Sequence, residues 1–461
     1  MRKLLAIWAA KLSAVAGRLI GKKSSSSPGV IALKICPDLI ERLKGNIKYG
    51  CIVTCGTNGK TTTNNLLYSA LKKNGCSVLC NSLGANMLGG IATAFALECN
   101  IFGKFSVDYA CLEVDEASTV KVFDHIKPDY IIITNLFRDQ LDRYGEIDIT
   151  VQLLKKAFAK ADRPRLILNG DDPLTAQFGK DNPDAVYYGI DEQVLPQLDD
   201  TKEGRFCVFC GAEQKYNYFH YSQLGDYYCP NCGNKRPRLD YAAHNVNLKN
   251  NLSFKINNTD ISLNYRGFYN IYNVLAVYAA LDTVGICKKD FNSLLTDYKP
   301  QIGRMEEMDL GKPVILNLAK NPAGFNQAIS TVLQDTRRKD VIVAINDNAN
   351  DGHDVSWLWD VDFEKLDDEN LNTLTATGIR LYDMALRFKY SDVRVDSVCP
   401  DMKTAIMNCL KTDAEVCYIL VNYTALFSTE NIMLDIKNSM NGGDGGGARL
   451  TGNTQGGADS E

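Results

Sequence analysis

Residues 51–67 read Cys-Ile-Val-Thr-Cys-Gly-Thr-Asn-Gly-Lys-Thr-Thr-Thr-Asn-Asn-Leu-Leu: a short apolar run, a turn framed by glycines, then helix-like spacing. A strand feeding a glycine turn and a helix is the layout of a phosphate cradle. Gly56 and Gly59 let the backbone bend through Thr57 and Asn58 so that several N–H groups face one anion. Lys60 supplies charge for the β- and γ-phosphates, and Thr61 or Thr62 can set a hydroxyl on Mg2+. Thr54 stands where the general phosphate-loop pattern has its first glycine. The plainer alternative is a strand–turn–helix corner with a chance lysine; the strand before and the helix after favour an ATP site.

Around this loop the chain is long. At 461 residues it exceeds what one core organises and suggests two to four domains. Its 45% hydrophobic and 23% charged content is that of a soluble globular protein. A net charge of −4 gives no overall basic field, so composition does not point to a nucleic-acid partner, and any anion site must be local. The 15 cysteines are an odd number in a chain far longer than disulfide-dense scaffolds. Cys51, Cys55, Cys80, Cys111 and Cys417 fall in apolar runs where a thiol packs as a hydrophobe, which fits a reducing cytoplasm.

Upstream of the loop, Leu4, Ile7, Trp8, Leu12, Val15, Leu19 and Ile20 recur at helical spacing with Lys3, Lys11, Arg18, Lys22 and Lys23 among or just beyond them. Lys11 and Arg18 interrupt the apolar stretch a signal peptide needs. The segment is expected to be an amphipathic helix, packed on the protein's own body or resting on an anionic membrane surface. Ser24 to Ser27 and Pro28-Gly29 read as a link, and Val30 to Leu43 as a short strand and a helix.

Downstream, 76–81, 109–116, 129–135 and 166–168 read as buried strands alternating with helices, hence a parallel sheet covered on both faces. The segment Gly84-Ala85-Asn86-Met87 with Gly89-Gly90 reads as flexible and able to lie over a ligand. The strand ending in Glu113-Val114-Asp115-Glu116 puts Glu113 at a carboxyl end, where a second ligand for Mg2+ belongs.

Cys207-x2-Cys210 and Cys229-x2-Cys232, 18 residues apart, offer four thiolates for a closed, structural Zn2+ site, with disulfides or an iron–sulfur cluster as alternatives. Asn270 and Asn273 share a helix face and are either caps or site residues. Arg304 can reach charge developing on a transferred phosphoryl group. After the strand 341–345, the loop Asn346-Asp347-Asn348-Ala349-Asn350-Asp351-Gly352-His353-Asp354 is either a solvated acidic loop or the seat of proton transfer.

Taken together, Gly56-Thr57-Asn58-Gly59-Lys60-Thr61, the Glu113 strand, Asp139-Gln140-Leu141-Asp142, Asn169-Gly170-Asp171-Asp172, Asn270-x2-Asn273 and Gly303-Arg304-Met305-Glu306 resemble, in order, the ATP-site motifs of Mur ligases. Gln140 stands where many of them have a metal-binding His. The four-cysteine insertion, the 346–357 loop and Asp383-Met384-Ala385-Leu386-Arg387 are similar to the MurT branch, the synthetase subunits of lipid II isoglutaminyl synthase.

The resemblance implies an α/β chain: a lead-in segment over 1–45, a Mur ligase-like central P-loop ATPase domain with a parallel sheet over 46–306, and an inserted zinc ribbon at about 203–236. A smaller Rossmann-like α/β domain over 307–438 follows, while the Gly-rich, polar composition of 439–461 predicts a disordered tail. It further implies ATP, Mg2+ and structural Zn2+ as cofactors, and a GatD-like glutaminase subunit as the ammonia source. The expected reaction is amidation of the α-carboxyl of D-glutamate in lipid II, with Asp354 first and Asp351 second as the proton-handling carboxylate. The alternative activity is a Mur- or folylpolyglutamate-type ligase adding an amino acid. A non-catalytic ATP-binding subunit and a zinc-ribbon nucleic-acid binder are the remaining classes.

Overall fold

The structure is a computed structural model that describes residues 1–19, 25–81, 85–139, 147–195, 204–248, 252–264, 267–286, 291–298 and 303–441. Ile20, Lys22, Lys23, Ser24, Gly84, the segment Gln140 to Gly145 and the tail beyond 441 lie outside the described residues. In chain order the strands are β1 (Ile47–Cys55), β2 (Val78–Cys80), β3 (Val107–Glu113), β4 (Tyr130–Ile133), β5 (Arg165–Asn169), β6 (Val186–Ile190), β7 (Lys215–Tyr221), β8 (Leu224–Tyr228), β9 (Tyr241–Asn247), β10 (Leu252–Ile256) and β11 (Thr259–Leu263).

Nine of these form one sheet in the order β11-β10-β9-β6-β5-β4-β1-β3-β2. Pairing is parallel from β2 through β9 and antiparallel at the β10–β11 edge. Alternate residues of the parallel strands fill two cores, as period-two geometry requires. Ile52, Ile132 and Ile167 pack with helices Lys60–Lys73 and Asn270–Thr283, while Val53, Ile131 and Leu168 face the N-terminal helices and Leu88–Glu98. β1 lies between β3 and β4, so chain order reverses at its carboxyl end, where an open α/β sheet leaves its crevice.

Two local expectations are corrected. Residues 27–35 are a helix and not a link followed by a strand, and Leu39–Leu43 is a second short helix. Pro28 suits a first helical turn because its missing N–H has no intrahelical partner there. Gly29 is needed for close packing, since a Cβ there would lie 1.9 Å from the Gly89 carbonyl oxygen. Gly89 and Gly90 are correspondingly part of helix Leu88–Glu98, which packs on Ser27–Ile35; they are not a ligand flap.

The second sheet contains β12 (Glu306–Asp309), β13 (Pro313–Leu318), β14 (Lys339–Ala344), β15 (Leu371–Thr377), β16 (Ser397–Val398) and β17 (Val416–Val421) in the order β12-β13-β17-β14-β15-β16. All pairs except β12–β13 are parallel. β17 inserts between β13 and β14, so the loops after these three strands share one crevice. The final helix continues to Asn441, three residues into the segment expected as tail.

Candidate functional site

At the end of β1 the chain makes a glycine-framed turn into helix Lys60–Lys73. Gly56 has φ 117° and Gly59 φ 85°, values that disfavour side chains. Space enforces both glycines: a Cβ would lie 2.3 Å from Thr134 Oγ1 at Gly56 and 2.3 Å from Asn273 Oδ1 at Gly59. Around the turn, the Thr57 amide donates to the Asn135 carbonyl at 2.8 Å, the Asn58 amide donates to Asn135 Oδ1 at 2.9 Å, and the Thr57 hydroxyl donates to the Phe137 carbonyl at 3.1 Å. Lys60 opens the helix, with Thr61 half-buried and Thr62 buried beside it.

Lys60 is buried. Its Nζ donates to the carbonyls of Gly56 and Thr57 and pairs with Glu116 Oε1 at 2.9 Å. Burial opposes the ammonium charge, but Glu116, Asp115 and Glu113 together hold the lysine above its ordinary pKa, so it stays cationic. Glu113 pairs in register with Thr54 of the neighbouring strand, and its carboxylate accepts from Asn86 Nδ2 at 3.1 Å. The buried Glu113 carboxylate, at a strand end and close enough to the buried Lys60 to raise its pKa, is the kind of oxygen donor that Mg2+ takes beside a phosphate. Glu116 was the residue missed: the strand-end run of three acids signalled it, but only the structure assigns it to Lys60.

Asn270 and Asn273 are both buried on helix Asn270–Thr283, and the residue preceding the helix makes no side-chain cap. Asn273 Oδ1 accepts from Thr63 Oγ1 at 3.3 Å and its Nδ2 donates to Asn270 Oδ1 at 3.1 Å, so the pair braces the phosphate loop. Arg304 lies near Tyr269 at the start of that helix: burial pushes the Tyr269 hydroxyl up while the Arg304 charge pulls it down.

The second sheet reaches the same place. Asn321 caps helix Pro322–Gln334 through Gly324 N at 2.8 Å, and its amide pairs reciprocally with that of Asn58 at 3.3 and 3.1 Å. Lys320 pairs with Asp139, and Asp360 with Arg138 at 3.2 Å. Asn321-Pro322 directly after a strand is a helix-start signature that was readable in the sequence; its contact with Asn58, 263 residues away, was not.

In the loop after β14, Asp351 is buried and both its oxygens are used by Thr424, the amide at 2.8 Å and the hydroxyl in a short contact. Asp354 is half-buried; hydrogen bonding from the Ser356 side chain first, and then from the Ser356 amide at 2.8 Å, holds its carboxyl below the ordinary range. Asp351 therefore fastens the loop to helix Tyr423–Asn441, and Asp354 keeps an accessible, ionised oxygen.

The four cysteines converge. Cys207 and Cys232 sulfurs are 3.6 Å apart, Cys210 and Cys229 3.5 Å, and all four lie within 4.8 Å of one another. A tetrahedron with 2.3 Å metal–sulfur bonds has edges of about 3.8 Å, so the thiolates fit zinc. Gly211 and Gly233, at φ 73° and 74°, close the two turns by donating to the Cys207 and Cys229 carbonyls. The β7–β8 hairpin between them is fastened to the central sheet: Arg236 pairs with buried Asp171 at 3.2 Å, and Gln223 Nε2 donates to the Leu136 carbonyl and to Asp172.

The Mur ligase middle domain family model matches residues 53–281, and the MurT ligase C-terminal model matches 318–426. The lipid II isoglutaminyl synthase (glutamine-hydrolyzing) subunit MurT of Staphylococcus aureus (strain COL) is 36% identical over 397 residues, covering 86% of this chain and 89% of that protein. The chain belongs to the MurT family. The subunit of the same name from Streptococcus pneumoniae (strain ATCC BAA-255 / R6) is 35% identical over 418 residues, with 89% and 92% covered.

Among solved structures, a pseudomurein peptide ligase type C from Methanothermus fervidus matches with TM-score 0.68 at 24% identity over 87% of this chain and 81% of that one. MurF ligase from Thermotoga maritima in complex with ADP matches with TM-score 0.63 at 13% identity over 88% and 85%. These two likenesses establish the Mur ligase fold. Among the described residues no helix is long and apolar enough to cross a membrane.

Proposed function

We propose that the chain is the ATP-using half of an amidotransferase that converts the α-carboxyl of D-glutamate in the lipid II stem peptide to a carboxamide through an acyl phosphate. A GatD-like glutaminase subunit supplies the ammonia, and the work takes place in the cytoplasm at the inner face of the membrane. The observation that carries this reading is the convergence of the phosphate loop with a MurT-type C-terminal domain, through Asn58–Asn321, Lys320–Asp139 and Arg138–Asp360.

Each residue has a physical task. The opening amides of helix Lys60–Lys73 and the Lys60 charge hold the triphosphate, while Asn135 ties down the Thr57 and Asn58 amides and Asn270 and Asn273 keep the turn in shape. Thr61 and Glu113 hold Mg2+, which when bound draws charge from the phosphate oxygens. Arg304 stabilises the transferred phosphoryl group. Asp354 orients ammonia and accepts its proton as the C–N bond forms, because ammonium has no lone pair with which to attack. Cys207, Cys210, Cys229 and Cys232 hold structural Zn2+. Exposed Ile379, Tyr382, Leu386 and Tyr390, with Trp359 against Tyr390, give the C-terminal domain an apolar face suited to the glutaminase.

Mass spectrometry of lipid II incubated with the chain, ATP, Mg2+ and ammonium at raised pH tests the reading. The expected product has NH2 in place of one carboxyl OH and forms with phosphate release, and Lys60→Ala abolishes it. Incorporation of an amino acid instead would make the chain a conventional Mur- or folylpolyglutamate-type ligase.

A further inference from the structure

Helix Arg2–Leu19 buries its small face. Ala6, Ile7, Ala10 and Ala14 pack on the body, chiefly on helices Ser27–Ile35 and Leu88–Glu98. Its larger apolar side chains point the other way: Leu5, Trp8, Leu12, Val15 and Leu19 are 53, 44, 71, 53 and 84% exposed. Their spacing of three, four, three and four residues makes one continuous stripe along a helix about 27 Å long. Ile101 and Phe102 extend it, at 63 and 71% exposure. Their turn is rigid, because Asn100 Oδ1 accepts from the amides of Phe102 and Lys104, and Trp8 Nε1 donates to the Ile101 carbonyl at 2.8 Å.

Packing against the protein's own body therefore explains only the alanine face. The charges say what covers the other. Residues 1–19 and 98–104 carry five cations, Arg2, Lys3, Lys11, Arg18 and Lys104, against one acidic residue, Glu98, in a chain whose net charge is −4; Arg2 and Lys11 also donate to the Ile35 and Leu97 carbonyls. A second copy of this helix would bring like charges together across the contact. An anionic bilayer surface offers apolar depth for the stripe and phosphate charge for its flanks, and a tryptophan suits that boundary.

We infer that Leu5, Trp8, Leu12, Val15, Leu19, Ile101 and Phe102 form a docking face that lies flat in the headgroup region of an anionic membrane. This goes beyond the proposed amidation, naming the surface that brings a lipid-linked substrate within reach, and its test needs neither substrate nor turnover. The full chain is sedimented with phosphatidylglycerol vesicles and with phosphatidylcholine vesicles. Binding to the anionic vesicles that weakens with added salt, and at least about tenfold weaker partition into phosphatidylcholine, is expected.

The double variant Leu12→Glu, Val15→Glu should lose at least about tenfold in vesicle binding, since it removes two apolar contacts and adds two like charges. Both positions are exposed, so its melting temperature and its amidation of a detergent-dispersed substrate should match the parent. Equal binding of parent and variant, or no preference for the anionic vesicles, overturns the inference. So does concentration-dependent self-association that the variant abolishes while vesicle binding is absent, which would assign the stripe to a second copy.

Discussion

Between Asp351 and Asp354 the backbone turns through Gly352 at φ 81°, and the two carboxylates diverge. Thr424 occupies both oxygens of the first, whereas the second keeps an accessible edge. Asp354→Asn should lower the amidation rate by about 100-fold or more while ATP binding and melting temperature stay put, as steady-state rates with parallel nucleotide titration would reveal. Asp351→Asn should instead cost about 1–3 kcal/mol in denaturant unfolding; a normal rate for the Asp354 variant would move the proton-handling role to Asp351. Both residues were legible as candidates in the sequence, but the use of Asp351 as a fastener depended on Thr424, 73 residues further on.

His220 offers a residue-scale test of burial. It sits among Tyr218, Phe268 and Tyr272, and burial, reinforced by the Arg236 charge, pushes its pKa down to about 3. The folded state then binds fewer protons than the unfolded chain between about pH 6.5 and 3, so stability falls as pH drops through that window. His220→Phe keeps the aromatic packing and removes the titration. Unfolding free energies at successive pH values should show the acid-side slope shrinking by at most about 1.4 kcal/mol per pH unit, with no change above pH 7.

At the scale of elements, the inserted hairpin bears on the nucleotide loop. Gln223 holds the carbonyl of Leu136, and Phe137, which exchanges hydrogen bonds with Thr57, sets its ring 5.9 Å from that of Tyr221, tilted by 39°. Gln223→Leu should raise KM for ATP about fivefold with kcat little changed and metal content intact, since the buried hydrogen bonds from Gln223 to the Leu136 carbonyl and to Asp172 are lost. If the four cysteines hold zinc, its removal should move KM in the same direction. An effect on kcat alone would detach the hairpin from the loop. The cysteine turns were readable because two ligands on one tight turn impose their own spacing. The helix 27–35 was not, because Pro28 and Gly29 punctuate a chain locally while their use here, an N-terminal turn and a backbone-to-backbone crossing on Gly89, depends on a partner helix.

For the whole molecule, two crevices at the carboxyl ends of two sheets face each other across Asn58–Asn321 and two ion pairs. Strand content and the two α/β units were visible as apolar runs, but the facing was not, since no local pattern encodes which loop meets which. Arg138→Ala and Asp360→Ala should each slow turnover, and the double variant should be less impaired than the sum, with a coupling of about 0.5–1 kcal/mol in a double-mutant cycle on kcat/KM. Strict additivity would mean that the pair plays no part in bringing the domains together.

The amide pair of Asn58 and Asn321 has a different character from its neighbours. Each side chain gives one hydrogen and takes one, so the contact carries no net charge and dissolved ions have little to screen. Lys320–Asp139 and Arg138–Asp360 weaken as salt is added. Ionic strength thus acts unequally on the contacts between the two domains: it weakens the ion pairs and leaves the neutral amide pair at the phosphate loop in place.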